Sequence, residues 1–201
     1  MIRKEGINRK TYESIARELG VEAGAIFALI TVESKGKFEI GNGKIPILFE
    51  KHWFYKLIKK KYGKKRAKLE MKINPNICNR KSGGYGKESA QYSRLARAIK
   101  INNEIAHQST SFGAFQIMGL NFKLCGYKSA VEMSDAYHES PRVEQIHGFI
   151  NFVKDFHDGK LLLALRAKKW GEVARRYNGK GYRKNRYAKK LKRSYREWIE
   201  A

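Results

Sequence analysis

The stretch ALITVESKGKF, residues 28–38, joins the most apolar run of the chain to a glutamate and a polar turn. Just before and within it, Ala25, Ile26, Leu29 and Ile30 recur at helical spacing, and the apolar face extends almost around the helix. The run AGAIFALITV holds ten residues, whereas a bilayer span needs about 20. A helix buried in the core of a folded domain is therefore predicted, with the glutamate at its end.

This glutamate, Glu33, stands where two effects favour the protonated form of a carboxyl group. It loses part of its hydration beside the packed apolar helix, and the carboxyl end of a helix carries partial negative charge. Both effects raise the pKa, and a general acid in glycoside hydrolysis must stay protonated near neutral pH. The alternative is a solvated glutamate or one paired with Lys35, because most glutamates lie at the surface.

The composition indicates one folded domain with a strongly basic surface. Of the 201 residues, 42% are hydrophobic and 12% aromatic, which is enough to bury a core. Lys and Arg number 43 against 19 Asp and Glu, so the formal net charge is +24. Such a charge favours a polyanionic partner: nucleic acid, anionic lipid or an acidic polymer of a bacterial envelope. No apolar segment follows the basic N-terminal residues, so no signal peptide is predicted.

Apolar periodicity predicts a mainly α domain with one small β-hairpin. The hairpin is predicted within residues 37–50, where two β-prone runs flank Gly-Asn-Gly. The basic segment 63–89 contains NPN and SGGYG and predicts a long irregular loop. Ser129 and Glu132 have the spacing of a capping box, and Pro141 is typical of a first helical residue.

Two further segments carry polar groups that suit a binding cleft. In STSFGAFQIMG, residues 109–119, Gln116 stands among apolar residues, and an unpaired buried amide costs about 1–3 kcal/mol. Gln116 is therefore either a satisfied core amide or a group that binds substrate. In RRYNGKGY, residues 175–182, Tyr177 and Asn178 offer an aromatic ring and an amide at a tight turn, a combination that often holds sugars. The alternative is a plain turn before the last helix.

Taken in order, these motifs resemble a known family. Glu-Ser, then SFGAFQIMG, then YNG follow the order of the signatures of goose-type lysozymes and soluble lytic transglycosylases. ALITVESKGKF, PILFEKHWFY, SFGAFQIMG and YNGKGYRKNRYAKKL are more closely similar to the N-acetylmuramidase family of bacteriophage endolysins, over residues from about 11 to 195. The resemblance implies a lysozyme-like helical fold that needs no cofactor. It also implies hydrolysis of peptidoglycan glycan strands between N-acetylmuramic acid and N-acetylglucosamine.

The resemblance assigns roles to single residues. Glu33 falls on the catalytic glutamate of the family. Ser111 and Gln116 fall on the motif that lines the cleft beside it, and Tyr177 and Asn178 fall on the loop opposite. All four are therefore expected to bind substrate.

A second carboxylate is expected near the acid, either as a nucleophile or as a base that activates water. Glu50, in LFEKHWF, is the candidate, and the alternative is a buried glutamate that ties the hairpin to the next helix. His52 lies next to it and is predicted to contact the sugar or to support Glu50. The five histidines and two cysteines lack metal-ligand spacing, so neither a metal site nor a disulfide framework is predicted.

A single catalytic domain over residues 1–201 is predicted, without a separate wall-binding module, because the catalytic helix begins near the start of the sequence. The net charge is expected to hold the enzyme on an anionic wall polymer or outer membrane instead. The basic C-terminal segment, residues 183–200, is predicted to close the domain, with membrane activity as the alternative. We expect a monomer, made in the host cytoplasm, that reaches the wall through a membrane lesion. The rival functions are a lytic transglycosylase on the same fold and a basic nucleic-acid-binding protein.

Overall fold

The computed structural model describes residues 7–33, 37–183 and 185–201, and only the backbone of Glu33 and Lys180. The α-helices in this part of the chain are α1 (Arg9–Leu19), α2 (Ala23–Glu33), α3 (Lys51–Ile73), α4 (Ser89–Ile99), α5 (Asn103–Gln108), α6 (Ala130–Glu139), α7 (Pro141–Asp155), α8 (Lys160–Arg166), α9 (Trp170–Asn178) and α10 (Tyr187–Glu200). The strands are β1 (Ile47–Phe49), β2 (Thr110–Phe112) and β3 (Ile117–Met118). The predicted fold class, mainly helical with a small β element, is confirmed.

Helix α2 forms the centre of the hydrophobic core, as its apolar sequence predicts. Five of its side chains expose 1% or less of their surface: Ala25, Ile26, Ala28, Leu29 and Ile30. It packs against α1 and, along most of its length, against α10, whose Tyr187 and Leu191 are also buried. Among the described residues, no helix is both long enough and apolar enough to cross a lipid bilayer.

Capping residues set several helix boundaries. Asn8 Oδ1 accepts a hydrogen bond from Thr11 N at 3.0 Å, and α1 begins at the next residue. Ser129 Oγ accepts from Glu132 N at 3.0 Å, as the predicted capping box requires. The Glu132 carboxylate reaches one residue further back than the motif predicts and accepts from Lys128 N at 2.6 Å.

The strands pair differently from the sequence prediction, and the predicted hairpin is wrong. Within the described chain, the two runs around Gly-Asn-Gly share only an isolated bridge between Gly41 and Lys44. Instead, β1 pairs antiparallel with β2, which pairs antiparallel with β3 across the turn at residues 113–116. The first run contains the exposed residues Lys37 and Glu39, whereas β2 is buried along its length. Strand β1 therefore buries more apolar surface against β2 than against its neighbour in sequence.

The segment predicted as a loop from residue 63 begins as helix, and the prediction is wrong up to Ile73. Helix α3 continues past Gly63, whose φ of +85° interrupts the helical geometry. Ala67 and Glu70, three residues apart, are buried on one side of the second half. Because this segment contains many charged residues, its sequence shows no clear helical periodicity of apolar residues.

Gly24 allows the close contact between α2 and α10. A Cβ atom there would lie 2.9 Å from Trp198 Cδ1 and 3.1 Å from ring carbons of Tyr195. We predict that Gly24→Ala lowers the free energy of unfolding by about 1–3 kcal/mol, because packed rings must move. Denaturant unfolding followed by circular dichroism measures this effect.

Gly171 provides the matched control, because it is also the second residue of its helix, α9. No described atom lies within 4 Å of a Cβ placed there. Gly171→Ala should therefore raise the free energy of unfolding by up to about 1 kcal/mol. Equal effects of the two substitutions would contradict the packing of α2 against α10.

Candidate active site

One face of the three-stranded sheet borders a groove. Side chains alternate along β1, so Ile47 and Phe49 enter the core while Leu48 stands on the opposite face. Leu48 lies opposite Ser111, and Ser111 lies opposite Met118, so these three side chains share that face. The groove has a volume of about 290 Å³, and its lining is Lys37, Pro46, Ile47, Leu48, Gly86, Glu88, Gln91, Gly113, Ala114 and Gln116.

The structure places Gln116 at this groove, whereas Ser111 is buried and is not among the residues that line it. Gln116 lies in the turn between β2 and β3 with φ at +50°. Its Nε2 donates hydrogen bonds to the carbonyl of Gly113 at 2.8 Å and to that of Pro46 at 3.4 Å. The half-buried amide is thus fixed between two strands while it lines the groove. Ser111 is buried, and its hydroxyl donates to Met118 Sδ at 3.0 Å.

Tyr177 reaches the same turn from α9. Its hydroxyl donates to the carbonyl of Phe115 at 3.2 Å, next to Gln116 in sequence. Its half-buried ring meets the edge of Phe152 with centroids 5.8 Å apart. Asn178 is half-buried at the end of α9, and the predicted tight turn after it is a 3-10 turn, Gly179–Gly181. The structure therefore brings Tyr177 and Gln116 together at one turn, with Asn178 beside Tyr177 in sequence.

Glu50 begins a second polar cluster, two residues beyond Leu48. Its backbone N–H donates to the carbonyl of Ser109 at 2.8 Å, so the hydrogen-bonded ladder between β1 and β2 extends to Glu50. The Tyr85 hydroxyl donates to the Glu50 carboxylate. His52 Nδ1 lies 3.1 Å from the same carboxylate oxygen but lacks the angle of a hydrogen bond. Glu50 and His52 thus lie close together, and Tyr85, which sequence analysis missed, is the third member of this cluster.

The protonation states of Tyr85 and His52 follow from their burial. Burial raises the pKa of Tyr85 to about 12, and the hydrogen bond to Glu50 acts in the same direction. Burial also lowers the pKa of His52, and this effect outweighs the opposite pull of the Glu50 carboxylate. At neutral pH, Glu50 therefore receives its hydrogen bond from a protonated phenol beside a neutral imidazole.

A buried amide holds Tyr85 in place. Gln91 Nε2 donates to the carbonyl of Tyr85 at 2.7 Å and to that of Lys87 at 3.1 Å. Its Oε1 accepts from Phe49 N at 3.1 Å, and Arg94 also donates to the Tyr85 carbonyl. The loop with Tyr85 and Gly86 is thereby tied to β1. Gly86, which follows Tyr85 in sequence, lines the groove, so the cluster around Glu50 is connected to the groove through this loop.

A second buried amide, Gln145 of α7, connects two walls of the groove. Its side chain is fully buried. Its Oε1 accepts from Ala114 N at 2.7 Å, and its Nε2 donates to the carbonyl of Phe38 at 3.2 Å. A Cβ atom at Gly113 would lie 2.3 Å from this Oε1, so the turn requires glycine there. Gln145 thus fixes the turn with Gln116 relative to the segment that follows α2.

Helix α2 ends at Glu33, whose side chain lies outside the described residues, as does the predicted turn at residues 34–36. Lys37 is the next described residue, and it lines the groove. Four residue steps span at most about 14 Å, so the Cα atom of Glu33 lies within that distance of the Cα atom of Lys37. That the Glu33 carboxyl faces the groove stays a prediction.

The cysteines and histidines form no cluster of ligands in the described chain. No three His, Cys, Asp or Glu side chains there come together as a metal site would require. Cys78 and Cys125 are free and buried, and burial raises the pKa of each thiol to about 12. Neither thiol is therefore an activated nucleophile at neutral pH.

The groove lies beside the small sheet, and Lys37, four residues after the end of α2, lines it. The family model for N-acetylmuramidase matches residues 22–199. The chain belongs to the N-acetylmuramidase family and is a peptidoglycan hydrolase. Its structure is similar to the crystal structure of the Burkholderia AP3 phage endolysin, with a TM-score of 0.83 and 35% sequence identity over 100% of this chain and 74% of that one. A comparison with curated proteins finds no match.

We predict that Gln145→Leu reduces turnover of peptidoglycan at least about tenfold. The substitution leaves two buried backbone groups unpaired, at about 1–3 kcal/mol each, and frees the turn with Gln116. Initial rates on purified peptidoglycan, at a temperature where the variant is folded, measure this loss. Gln108→Leu is the control. This substitution also removes a side-chain hydrogen bond, the one from Gln108 to Glu104, but Gln108 does not line the groove. Similar losses of turnover in both variants would show that Gln145 acts on stability alone.

Proposed function

We propose that this enzyme cleaves the β-1,4 bond between N-acetylmuramic acid and N-acetylglucosamine and acts as an endolysin in host cell lysis. The observation that supports this most is the groove beside β1, which Gln116 and Lys37 both line. The Cα atom of Glu33 lies within about 14 Å of that of Lys37, which supports a position of Glu33 near that groove. The name of the Burkholderia structure supports the role in phage lysis.

Glu33 serves as the general acid in this proposal. Its protonated carboxyl gives a proton to the glycosidic oxygen as the bond to the sugar breaks, and the leaving sugar departs with a hydroxyl group. Gln116 lines the groove from the turn between β2 and β3, where its amide suits the hydroxyl and acetamido groups of a glycan. Tyr177 reaches this turn from α9 through its hydrogen bond to Phe115 and is proposed to bind the glycan beside it. Ser111 is proposed to act indirectly, because its buried hydroxyl donates to Met118 Sδ and so helps to hold β3 against β2.

Glu50 is the proposed second carboxylate, either as a nucleophile or as a base for water. Glu50 is two residues after Leu48 and therefore on the same side of this segment. Tyr85 holds its carboxylate in one orientation. The neutral imidazole of His52 lies beside the same carboxylate, with Nδ1 at 3.1 Å, and limits its movement. The alternative is that this cluster only joins α3 to the loop with Tyr85.

The cell wall is where the substrate lies and therefore where the enzyme acts. We propose that the basic surface adds attraction to the anionic envelope and that the enzyme works as a monomer. A single catalytic domain without a wall-binding module, and arrival at the wall through a membrane lesion, stay predictions.

Product analysis tests the acid and the bond together. Glu33→Gln should lower turnover of purified peptidoglycan by about 10²–10⁴-fold, the usual contribution of a general acid. Glu39→Gln is the control, because Glu39 is exposed and only six residues away in sequence. Mass spectrometry of the wild-type products should find N-acetylmuramic acid at the new reducing ends.

Other products would point to other functions. Anhydro-sugar ends would support the lytic transglycosylase, and N-acetylglucosamine at the reducing ends would exclude the proposed bond. Retained activity in Glu33→Gln would show that another group is the acid.

Glu50→Gln and Tyr85→Phe distinguish the two roles of Glu50. If Glu50 acts in the reaction, Glu50→Gln should nearly abolish turnover, and Tyr85→Phe should lower kcat about tenfold with KM unchanged, because a hydrogen bond to a charged group is lost. Tyr55→Phe is the control: this buried tyrosine of α3 binds Arg80 at 3.2 Å, outside the cluster. Lower stability with unchanged kcat in both variants would make Glu50 structural.

A further inference from the structure

Helix α3 concentrates exposed positive charge. The solvent-exposed cations of this helix number nine: Lys56, Lys59, Lys60, Lys61, Lys64, Lys65, Arg66, Lys68 and Lys72. Its one acidic residue, Glu70, is buried and pairs with Arg66 at 2.7 Å. Within the described chain, the other eight cations make no ion pair. The field of this helix is therefore directed at solvent and is available to an anionic partner.

Apolar side chains lie among these cations. Tyr62, Leu69 and Ile73 expose 47%, 49% and 61% of their surface and make up half of the six exposed large apolar side chains in the described residues. Helical geometry places Leu69 and Ile73 one turn apart, with Lys65 and Lys72 beside them. The buried Ala67 and Glu70 lie on a neighbouring side of the helix, which faces the core. The outward side thus has an apolar centre between cations.

We propose that this outward side of α3 after Gly63, residues 64–73, binds an anionic lipid surface, an interaction beyond wall hydrolysis. The lysines are drawn to the phosphate headgroups, while Leu69 and Ile73 enter the boundary between headgroups and acyl chains. The lysine side chains allow this insertion, because their long apolar stems can lie in apolar surroundings while the ammonium groups remain at the phosphates. An acidic wall polymer or a nucleic acid would use the charge but would leave the apolar centre in water.

Helix α10 is also strongly basic, but most of its apolar side is used in the core. Tyr187 and Leu191 are buried, and Trp198 lies 5.1 Å from the ring of Phe27. Ile199 is the large apolar residue of this helix that stays exposed. Membrane activity of residues 183–200, the alternative that the sequence offers, would require α10 to separate from α2.

Vesicle binding by the full-length enzyme tests the proposal. The probe is co-sedimentation with vesicles of phosphatidylglycerol mixed into phosphatidylcholine, with pure phosphatidylcholine as the reference. The α3 variant replaces Lys65, Lys68 and Lys72 by Gln, and the control replaces three exposed lysines of α10 by Gln: Lys189, Lys190 and Lys192. We expect the α3 variant to lose affinity about fivefold for each charge removed. The control has the same net charge and should lose much less.

A second variant separates lipid from other polyanions. Leu69→Ser with Ile73→Ser should weaken vesicle binding about tenfold, because apolar burial is lost. The same variant should keep the wild-type adsorption to lipid-free peptidoglycan and to duplex DNA.

Three results would overturn the proposal: no preference of the wild type for anionic vesicles, an equal loss in the α10 control, or vesicle binding unaffected by the two serines. Duplex DNA bound more tightly than the vesicles would make α3 a nucleic-acid interface instead. Hydrolysis of purified peptidoglycan should be unchanged in all these variants, so failure here is distinguishable from failure of the proposed function.

Discussion

The two hydrogen bonds of Gln145 are the constraint on which the groove depends. This fully buried amide holds Ala114 with its oxygen and Phe38 with its nitrogen. An apolar side chain in its place would leave two buried backbone groups without partners, which costs far more than the small net gain of an ordinary hydrogen bond. The glutamine therefore joins the segment after α2 to the turn with Gln116 in one arrangement, and it does so from a third element, α7.

The same device recurs at the other side of the groove, where Gln91 joins Phe49 to the loop with Tyr85. Both glutamines are buried. Gln145 bonds to backbone groups of two segments far away in sequence, and Gln91 connects the distant Phe49 to the nearby carbonyls of Tyr85 and Lys87. Their shared effect is to place side chains on fixed supports before substrate arrives, which is how enzymes keep a site ready for charge that develops during the reaction. The candidate active-site groove of this muramidase is thus held by buried amides as well as by the apolar core.

Features with local causes could be predicted from the sequence, and features with distant causes could not. The burial of α2 follows from its own apolar residues, and the cap at Ser129 follows from a four-residue pattern. The partner of β1 is more than 60 residues away at Thr110–Phe112, so turn chemistry at Gly-Asn-Gly pointed to the wrong hairpin. Tyr85 lies in a glycine-rich loop without periodicity, and its role depends on contact with Glu50. Motif order points to Gln116 and Tyr177, whose role in substrate binding stays a prediction, whereas Gln145 lies in an apolar stretch of α7 that carries no motif.

The central claim is that the Glu33 side chain faces a glycan bound in the groove beside β1. A crystal structure of the Glu33→Gln variant with a peptidoglycan oligosaccharide tests it most directly. The account predicts that the glycan lies along Leu48 and Gln116, with a glycosidic oxygen about 3 Å from the side chain at position 33. A glycan bound at another surface, or a side chain at position 33 that points away from the bound sugar, would contradict it.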